Sequence, residues 1–574
     1  MLAVVSFIVA MTASAQDAPS SDESDAAAVT TSFTDDLDYR YWKRTERLPA
    51  PFANETGIFN YVEQVNRFTG LVASGPWQGF VQVDEVSLWA NRYKIDGEVF
   101  TERALREPDV FWPLPGIDGY ANLEKVFLAR ESKLATVTLG DFYGAFGNGL
   151  ALNINRNVDI DIDTSIQGAK VFMRPGAWDI QLLAGQVNRQ QVFQENPNLG
   201  LQGDFRHLVA GAAVTRYGLG PANVGAHGVV YHFATESGPW GIAERSVPDA
   251  VVAGSTLEVS IAGMDWIGEG DIYSYTNNAD GGSLLFAGEP SDPGYAAYLS
   301  GTAYVGSTTW QFEGKRYIQT ERPNALLASE LYEIAIGPTL EYERAITEDS
   351  SAAVNSNNSW GGKVRMDWAA VPGEVVPYVS VAVFRDLEEG GLHFNEVPET
   401  IFHPMIGIEA RPEKFSFIGN LGMRYDDRDG QGTDSERGID ADRQLHGDLD
   451  FKFALPGGLR ADIAVAGEWY QWGQNPFQQE DYVEFETSYT VAIPGEKVFV
   501  VYYMDYTTNP LVNSVGNLDG DSLYGAGELQ YKVSDAVTMK GFLGAYKAGI
   551  RCSGGQCRLL PGFDGARFSM TANF

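Results

Sequence analysis

Residues 449–455 read LDFKFAL, residues 459–469 LRADIAVAGEW and residues 482–493 YVEFETSYTVAI. In the first, Leu449, Phe451, Phe453 and Leu455 alternate with Asp450, Lys452 and the small Ala454. In the second, Leu459, Ile463, Val465 and Trp469 fall on one face, and Arg460, Asp462 and Glu468 on the other. In the third, Val483, Phe485, Tyr489, Val491 and Ile493 alternate with Glu484, Glu486, Ser488 and Thr490. A period of two is the signature of a β-strand with one apolar and one polar face. Each run is about ten residues, the length of a tilted strand crossing a bilayer. A soluble sandwich or propeller with one wet face carries the same alternation, so the connections must decide.

Tight turns occur at Arg174-Pro175-Gly176, Pro372-Gly373, Arg411-Pro412-Glu413-Lys414, Pro456-Gly457-Gly458, Pro494-Gly495 and Val533-Ser534-Asp535. Between these hairpins lie long polar stretches such as LEEGGLHFNEVPE, DDRDGQGTDSERGIDADR and TTNPLVNSVGNLDGDS. Short turns on one side and long loops on the other are the pattern of a transmembrane barrel. A sheet in hydrocarbon cannot keep a free edge, because every backbone N–H and C=O there needs a partner. The slightly polar mean hydropathy of −0.18 fits, since only every second residue of a strand would face lipid. The expected fold is all-β: a single large antiparallel transmembrane β-barrel with short periplasmic turns and long extracellular loops. From about Ile58 onward, beginning with IFNYVEQVNRFTGLV and GFVQVDEVSLW around Ser74-Gly75-Pro76, the alternating segments number about 24, within a range of 22–26. The range reflects ELYEIAIGPTLEYERA, which reads as one strand or as a hairpin turning at Gly337-Pro338, and residues 38–45, which supply a further strand or none.

The final segment is Ala566-Arg567-Phe568-Ser569-Met570-Thr571-Ala572-Asn573-Phe574. Phe568, Met570, Ala572 and Phe574 would face lipid, and Arg567, Ser569, Thr571 and Asn573 the lumen. An alternating strand ending in Phe resembles the assembly signal of bacterial outer-membrane proteins, here Phe568, Met570 and Phe574, which implies the barrel-assembly machinery as a partner. At the other end, MLAVVSFIVAMTASA places an apolar run over Leu2–Met11 ahead of Ala13-Ser14-Ala15, the small-residue site of a signal peptide. No Lys or Arg precedes the run, and a buried first helix is the alternative.

The chain has 574 residues, 76 acidic against 41 basic, and a formal charge of −35. That acidity argues against nucleic acid as a partner. With 6 His and 2 Cys, zinc ribbons and disulfide scaffolds are excluded. The expected organisation is a signal peptide over 1–15, an acidic disordered leader over 16–55 and the barrel over 56–574. The leader assignment rests on QDAPSSDESDAAAVTTSFTDDLD, which has no basic side chain; a short luminal plug is its alternative.

Two local patterns stand out. Strand ATVTLGDFY runs into Gly144-Ala145-Phe146-Gly147-Asn148-Gly149-Leu150, where Gly144, Gly147 and Gly149 allow positive φ or close backbone approach. Gly144, Gly147, Asn148 and Gly149 form a candidate pore loop folding inward; an ordinary bulge or external turn is the alternative. Cys552 and Cys557 bracket Ser553-Gly554-Gly555-Gln556. In an exported chain such a pair favours a disulfide, worth roughly 2 kcal/mol for so small a ring, and a redox or metal-binding pair is the competing reading. Residues 140–150, together with Cys552–Arg558 followed by Pro561, Phe563, Gly565 and Arg567, resemble an uncharacterised family of large outer-membrane barrels from Gram-negative bacteria. That family's pattern has Arg where Asn148 stands. The resemblance implies an outer-membrane barrel and offers no activity to carry over.

No catalytic motif is evident: there is neither His-Glu-x-x-His nor Gly-x-Ser-x-Gly, and no cofactor site is expected. The six histidines (His207, His227, His232, His393, His403 and His446) show no metal-ligand spacing, and His227 and His232 sit on opposite faces of one strand. Asp426, Asp427, Asp429 and Asp434, or Asp519 and Asp521, offer oxygens to Ca²⁺ but lack the EF-hand spacing, so solvated loop charge is preferred. Arg103, Arg106, Arg130, Arg156 and Arg174 lie among carboxylates and could build a transverse field in a lumen. The leading expectation is an outer-membrane, porin-like channel or solute transporter, not an enzyme, embedded in outer-membrane lipid and passing small solutes or ions, with no assignment of oligomeric state. A plugged structural or surface-interaction barrel acting through its loops, and a secreted soluble β-protein, are the alternatives.

Overall fold

The computed structural model describes residues 29–45, 59–89, 93–95, 98–100, 112–113, 119–157, 162–188, 190, 207–232, 250–275, 293–318, 320, 359–386, 399–428, 441–471, 481–508, 523–547, 549–553, 556–560 and 562–574. Twenty-four of its strands close a barrel. The first twelve are β1 (Val29–Thr45), β2 (Phe59–Ser74), β3 (Trp77–Trp89), β4 (Gly119–Glu131), β5 (Ala135–Phe142), β6 (Ser165–Met173), β7 (Trp178–Asn188), β8 (Leu208–Leu219), β9 (Ala222–His232), β10 (Ala250–Ile261), β11 (Met264–Tyr275) and β12 (Gly294–Val305). The second twelve are β13 (Thr308–Ile318), β14 (Ser359–Trp368), β15 (Val375–Asp386), β16 (Glu399–Ala410), β17 (Phe415–Arg428), β18 (Ala441–Ala454), β19 (Arg460–Gln471), β20 (Tyr482–Ala492), β21 (Val498–Thr507), β22 (Leu523–Lys532), β23 (Val537–Tyr546) and β24 (Phe563–Asn573).

Each strand pairs antiparallel with the next, and β24 pairs with β1 from Thr34↔Asn573 to Thr45↔Phe563. Phe33 and Phe574 exchange backbone hydrogen bonds at 3.1 and 2.8 Å, so the seam runs to the last residue. The expected tight turns all fall between paired strands at one end of the barrel. There Gly176, Gly373, Gly457 and Gly495 take the positive φ that only glycine accepts without strain.

Alternation sorts the two faces as expected. Leu445 and Trp469 point outward and are exposed, whereas Gln444, His446 and Glu468 point inward and are buried. Val483, Tyr489, Val491 and Ile493 are likewise exposed on the outside. Phe568 and Phe574 are exposed, while Ala572 is buried. Val230, Val251, Ile272, Leu299, Val381 and Leu421 continue an exposed apolar band around the barrel. Outward aromatics fringe it at both ends: Trp77, Trp178, Trp368, Phe415 and Tyr531 near the tight turns, and Tyr41, Tyr295, Trp360, Phe402 and Trp469 at the other.

One boundary is corrected. The leader expected over 16–55 contains β1, which supplies one of the two seam strands. Its Asp38 needs no apolar core, because its charge is buried in pairs: it accepts from Arg40 at 2.5 Å and from Arg567 at 2.7 Å. Strands β17 and β18 also extend into the polar stretch 426–443, taking Asp426 and Asp427 into backbone pairing with Asp442 and Ala441. The segment 1–15 expected as a signal peptide, the ambiguous segment 330–345, His393, Asp429, Asp434, Asp519, Asp521, Arg103 and Arg106 lie outside the described residues.

Candidate functional site

The connection from β5 to β6 turns into the barrel. β5 parts from β4 at Gly140, whose φ of +101° and approach to the β4 backbone exclude a side chain: a Cβ there would lie 2.1 Å from the Val126 carbonyl oxygen. The connection's base is held by polar contacts that its sequence alone does not announce. Asp141 accepts from the Val126 amide at 2.8 Å, Ser165 Oγ at 3.0 Å and Asn188 Nδ2 at 2.7 Å. Asp163 is ion-paired with Lys125 and accepts the Tyr143 hydroxyl at 2.5 Å. Burial would raise the Asp163 carboxyl, but Lys125, the Tyr143 hydrogen bond and Arg156 outweigh it and hold it below the usual carboxylate range. Burial, with the Asp163 charge added, pushes the Tyr143 phenol well up.

Beyond this base, Gly144–Phe146 pairs with Leu152–Ile154 as a short hairpin. Phe146, Leu150, Ala151, Leu152 and Ile154 are all nearly fully buried. They pack with Ile166, Leu183, Val209, Val229, Tyr231, Val252, Tyr273 and Tyr317, inward-facing residues of β6–β13. The wall is shaped for the hairpin. A Cβ at Gly211 of β8 would stand 2.6 Å from the Phe146 ring, so the ring occupies the space that this glycine leaves. Tyr273 donates its hydroxyl to the Leu150 carbonyl at 2.7 Å, and Tyr231 donates to the Ala151 carbonyl. The glycine-rich tip thus spends its apolar residues on the wall and its carbonyls on two buried tyrosines.

Three ionisable groups meet the tip. Along adjacent strands, His227 of β9 is registered with Gly254 of β10, and Gly254 with Asp271 of β11. With no side chain at Gly254 between them, His227 Nε2 reaches Asp271 Oδ1 at 2.6 Å. Glu269, two residues along the same face of β11, lies 3.6 Å from His227 Nε2 and accepts the Asn148 amide. The three side chains expose 2%, 0% and 0% of their surface for His227, Glu269 and Asp271, so the cluster is sealed from bulk water.

Histidine spacing along the chain shows no metal-ligand set, but the fold brings His227 together with two carboxylates within reach of one ion. Spacing along one strand is uninformative here, because the set is assembled by register across three. The sequence signal that could have found it is Glu269-Gly270-Asp271, two acids on one strand face. His403 and His446 also meet, Nε2 to Nε2 at 2.8 Å, across β16 and β18. His207 is buried at the start of β8, and His232 closes β9 on the outward side.

Of the candidate pore loop, Gly144 is buried in the hairpin, Gly147 and Gly149 take φ of +59° and +99°, and Asn148 donates its amide to Glu269. Cys552 and Cys557 stand opposite one another in the hairpin of Gly549–Ser553 and Gln556–Leu560. The three described arginines of the expected set, Arg130, Arg156 and Arg174, stand apart from one another. Arg130 stacks on Trp77 on the outside, Arg174 pairs with Asp179 at 3.3 Å beside a tight turn, and Arg156 lies 3.7 Å from Asp163.

The fold and the hairpin define a class: a closed 24-strand antiparallel barrel with a segment of its own chain folded against the inner wall. Residues 114–227, which span β4 to β9 and include the hairpin, match the model of a family of unknown function, DUF6029. No curated protein matches the chain. Among solved structures, it is similar to the translocation pore of the P pilus usher PapC, with 8% identity and a TM-score of 0.42 over 95% of this chain and 99% of that one. The siderophore receptor PirA from Pseudomonas aeruginosa aligns with 7% identity and a TM-score of 0.42 over 96% and 81%. The outer membrane protein opdK from the same organism aligns with 10% identity and a TM-score of 0.35 over 73% and 97%.

Proposed function

We propose that the protein is an outer-membrane barrel whose water-filled lumen passes small solutes or ions, with the 144–154 hairpin lining one side of the path. Lipid would surround the apolar band between the two aromatic fringes, and the long connections would face outward from the cell. The observation that carries the reading is the charge left exposed on the inward face near the tight turns. Lys452 exposes 53% of its side chain, with Asp450 at 2.8 Å and Asp462 at 3.3 Å, on the same face as the buried His446 and Glu468. Exposed charge on that face needs water inside the barrel.

The test is single-channel recording of the refolded protein in a planar bilayer under a salt gradient. Large, stable steps with mild cation preference are expected. A second reading, a closed barrel acting through its surface loops, draws on the burial of inward residues at the opposite end, among them Tyr273, His403, His446 and Tyr482. Inserted protein without conductance would overturn the channel reading in favour of that one.

A further inference from the structure

We infer that His227, Glu269 and Asp271 bind one divalent transition-metal ion of the Zn²⁺ or Co²⁺ type. The inference is independent of whether the lumen conducts. One atom from each of the three side chains lies within 4.8 Å of the other two, and His227 Nε2 stands 3.6 Å from Glu269 Oε1, near the roughly 3.4 Å between ligands of a tetrahedral ion with bonds of about 2.0–2.2 Å. Two acceptor atoms in the cluster are spent, Glu269 Oε2 on the Asn148 amide and Asp271 Oδ1 on His227. The other two, Glu269 Oε1 and Asp271 Oδ2, are buried without any hydrogen-bond partner among the described residues.

Two buried carboxylates beside one imidazole leave open lone pairs where water does not reach, a costly arrangement that a bound cation would relieve. An ion drawing on His227 Nε2, Glu269 Oε1 and Asp271 Oδ2 would take the place of the proton between His227 and Asp271, releasing their hydrogen bond, and would use both orphan oxygens. The cradle depends on two glycines. A Cβ at Gly254 would lie 1.8 Å from Asp271 Oδ1 and 2.6 Å from His227 Nε2, and one at Gly147 would lie 2.2 Å from Glu269 Oε1. An imidazole with carboxylates and no thiolate suits Zn²⁺, Co²⁺ or Fe²⁺; sites for Ca²⁺ and Mg²⁺ are built from oxygens alone. Because the other oxygen of Glu269 holds Asn148, the ion also ties the wall to the hairpin tip.

The full chain, folded in detergent and stripped with chelator, is dialysed against Zn²⁺ with millimolar Mg²⁺ and Ca²⁺ present to saturate the many exposed carboxylates. One Zn²⁺ per chain is expected to remain, with His227→Ala and Asp271→Asn each binding at least 100-fold more weakly and His403→Ala unchanged. A wild-type chain that retains no ion, a His227→Ala chain that retains it with wild-type affinity, or loss of the ion in His403→Ala overturns the assignment. Should the cluster variants fail to fold, X-ray absorption at the zinc edge of the wild-type protein decides. An imidazole in an otherwise oxygen shell supports the site, and oxygen ligands alone overturn it.

Discussion

Arg567 of the last barrel strand and Asp38 of the first are joined by a two-pronged ion pair, 2.7 and 2.9 Å, across the seam where the sheet closes. Asp38 also accepts from Arg40 at 2.5 Å, so one carboxylate serves two guanidinium groups. Asp38→Ala removes the shared acceptor at a nearly buried position and should cost about 3 kcal/mol. Arg567→Ala leaves the Arg40 pair intact and should cost about 1 kcal/mol. The readout is the temperature at which the folded band is lost on unboiled gels. Equal losses for the two variants would mean that the seam does not depend on Asp38 in this way.

Glycine is required at the tip of the inward hairpin for two reasons that a control separates. Gly147 has φ of +59°, and a Cβ there would meet the Glu269 carboxylate at 2.2 Å. Gly176, in a tight turn, has φ of +69° with nothing within 4 Å of such a Cβ. Gly176→Ala should therefore cost only the backbone penalty of about 1–2 kcal/mol. Gly147→Ala should cost more and displace the tip, adding noise and larger open levels to single-channel recordings. Indistinguishable recordings from the two variants would count against a docked tip.

Phe146 is the main apolar anchor of the same hairpin, 1% exposed, with its ring in the space above Gly211. Phe146→Ala should weaken docking by about 3–5 kcal/mol. Limited proteolysis from the lumen side should then cut within 144–154, where the wild-type chain resists. Wild-type resistance in the variant would show that the hairpin is held elsewhere.

The base of the hairpin should respond to acid. The folded-state pKa of Asp163 is depressed, so its pairing with Lys125 and Tyr143 contributes stability above the ordinary aspartate value of 3.8 that is lost as pH falls through the lower folded value. Beside the end of β23, Lys547 lies 2.6 Å from Glu484 and 3.4 Å from Glu486. Burial would lower Lys547, but the two carboxylates outweigh it and raise it above the ordinary 10.5. Its contribution holds below pH 10.5 and fades only as pH climbs through the higher folded value. Unfolding followed from pH 2 to 12 should show both limbs, with Asp163→Asn removing the acid one and Lys547→Met the alkaline one.

Mass spectrometry of the intact protein should find Cys552 and Cys557 joined, two hydrogens lighter than the reduced chain. Cys552→Ser should cost no more than about 2 kcal/mol, because a four-residue ring constrains little of the unfolded chain. Free thiols in protein recovered without reductant would exclude the bridge.

The barrel was legible wherever one strand face is purely apolar. Outward Leu445, Trp469, Val483 and Tyr489 alternate cleanly with charge, and the glycine- and proline-rich turns mark each reversal. β1 was offered only as a possible strand over 38–45, and its first half escaped, because Asp35 falls on the outward face between Phe33 and Leu37 and because acidic composition reads as solvated chain when its partners, Arg40 and Arg567, are not yet in place. The glycine-dense bend was visible as a bend. What Phe146, Leu150 and Ile154 would bury against was not, since the receiving residues come from eight other strands. Likewise His227 stands 44 positions from Asp271, and only the register through Gly254 brings them together.

The apolar cluster that seats the hairpin runs along β5–β13 and has no counterpart of its size elsewhere among the described residues. Mechanically the cylinder is thus unevenly braced, a stiffened arc joined to a more compliant one. Squeezed by lateral pressure, or stretched by a wide solute, its cross-section should ovalise by bending the β14–β24 side while the braced arc keeps its curvature.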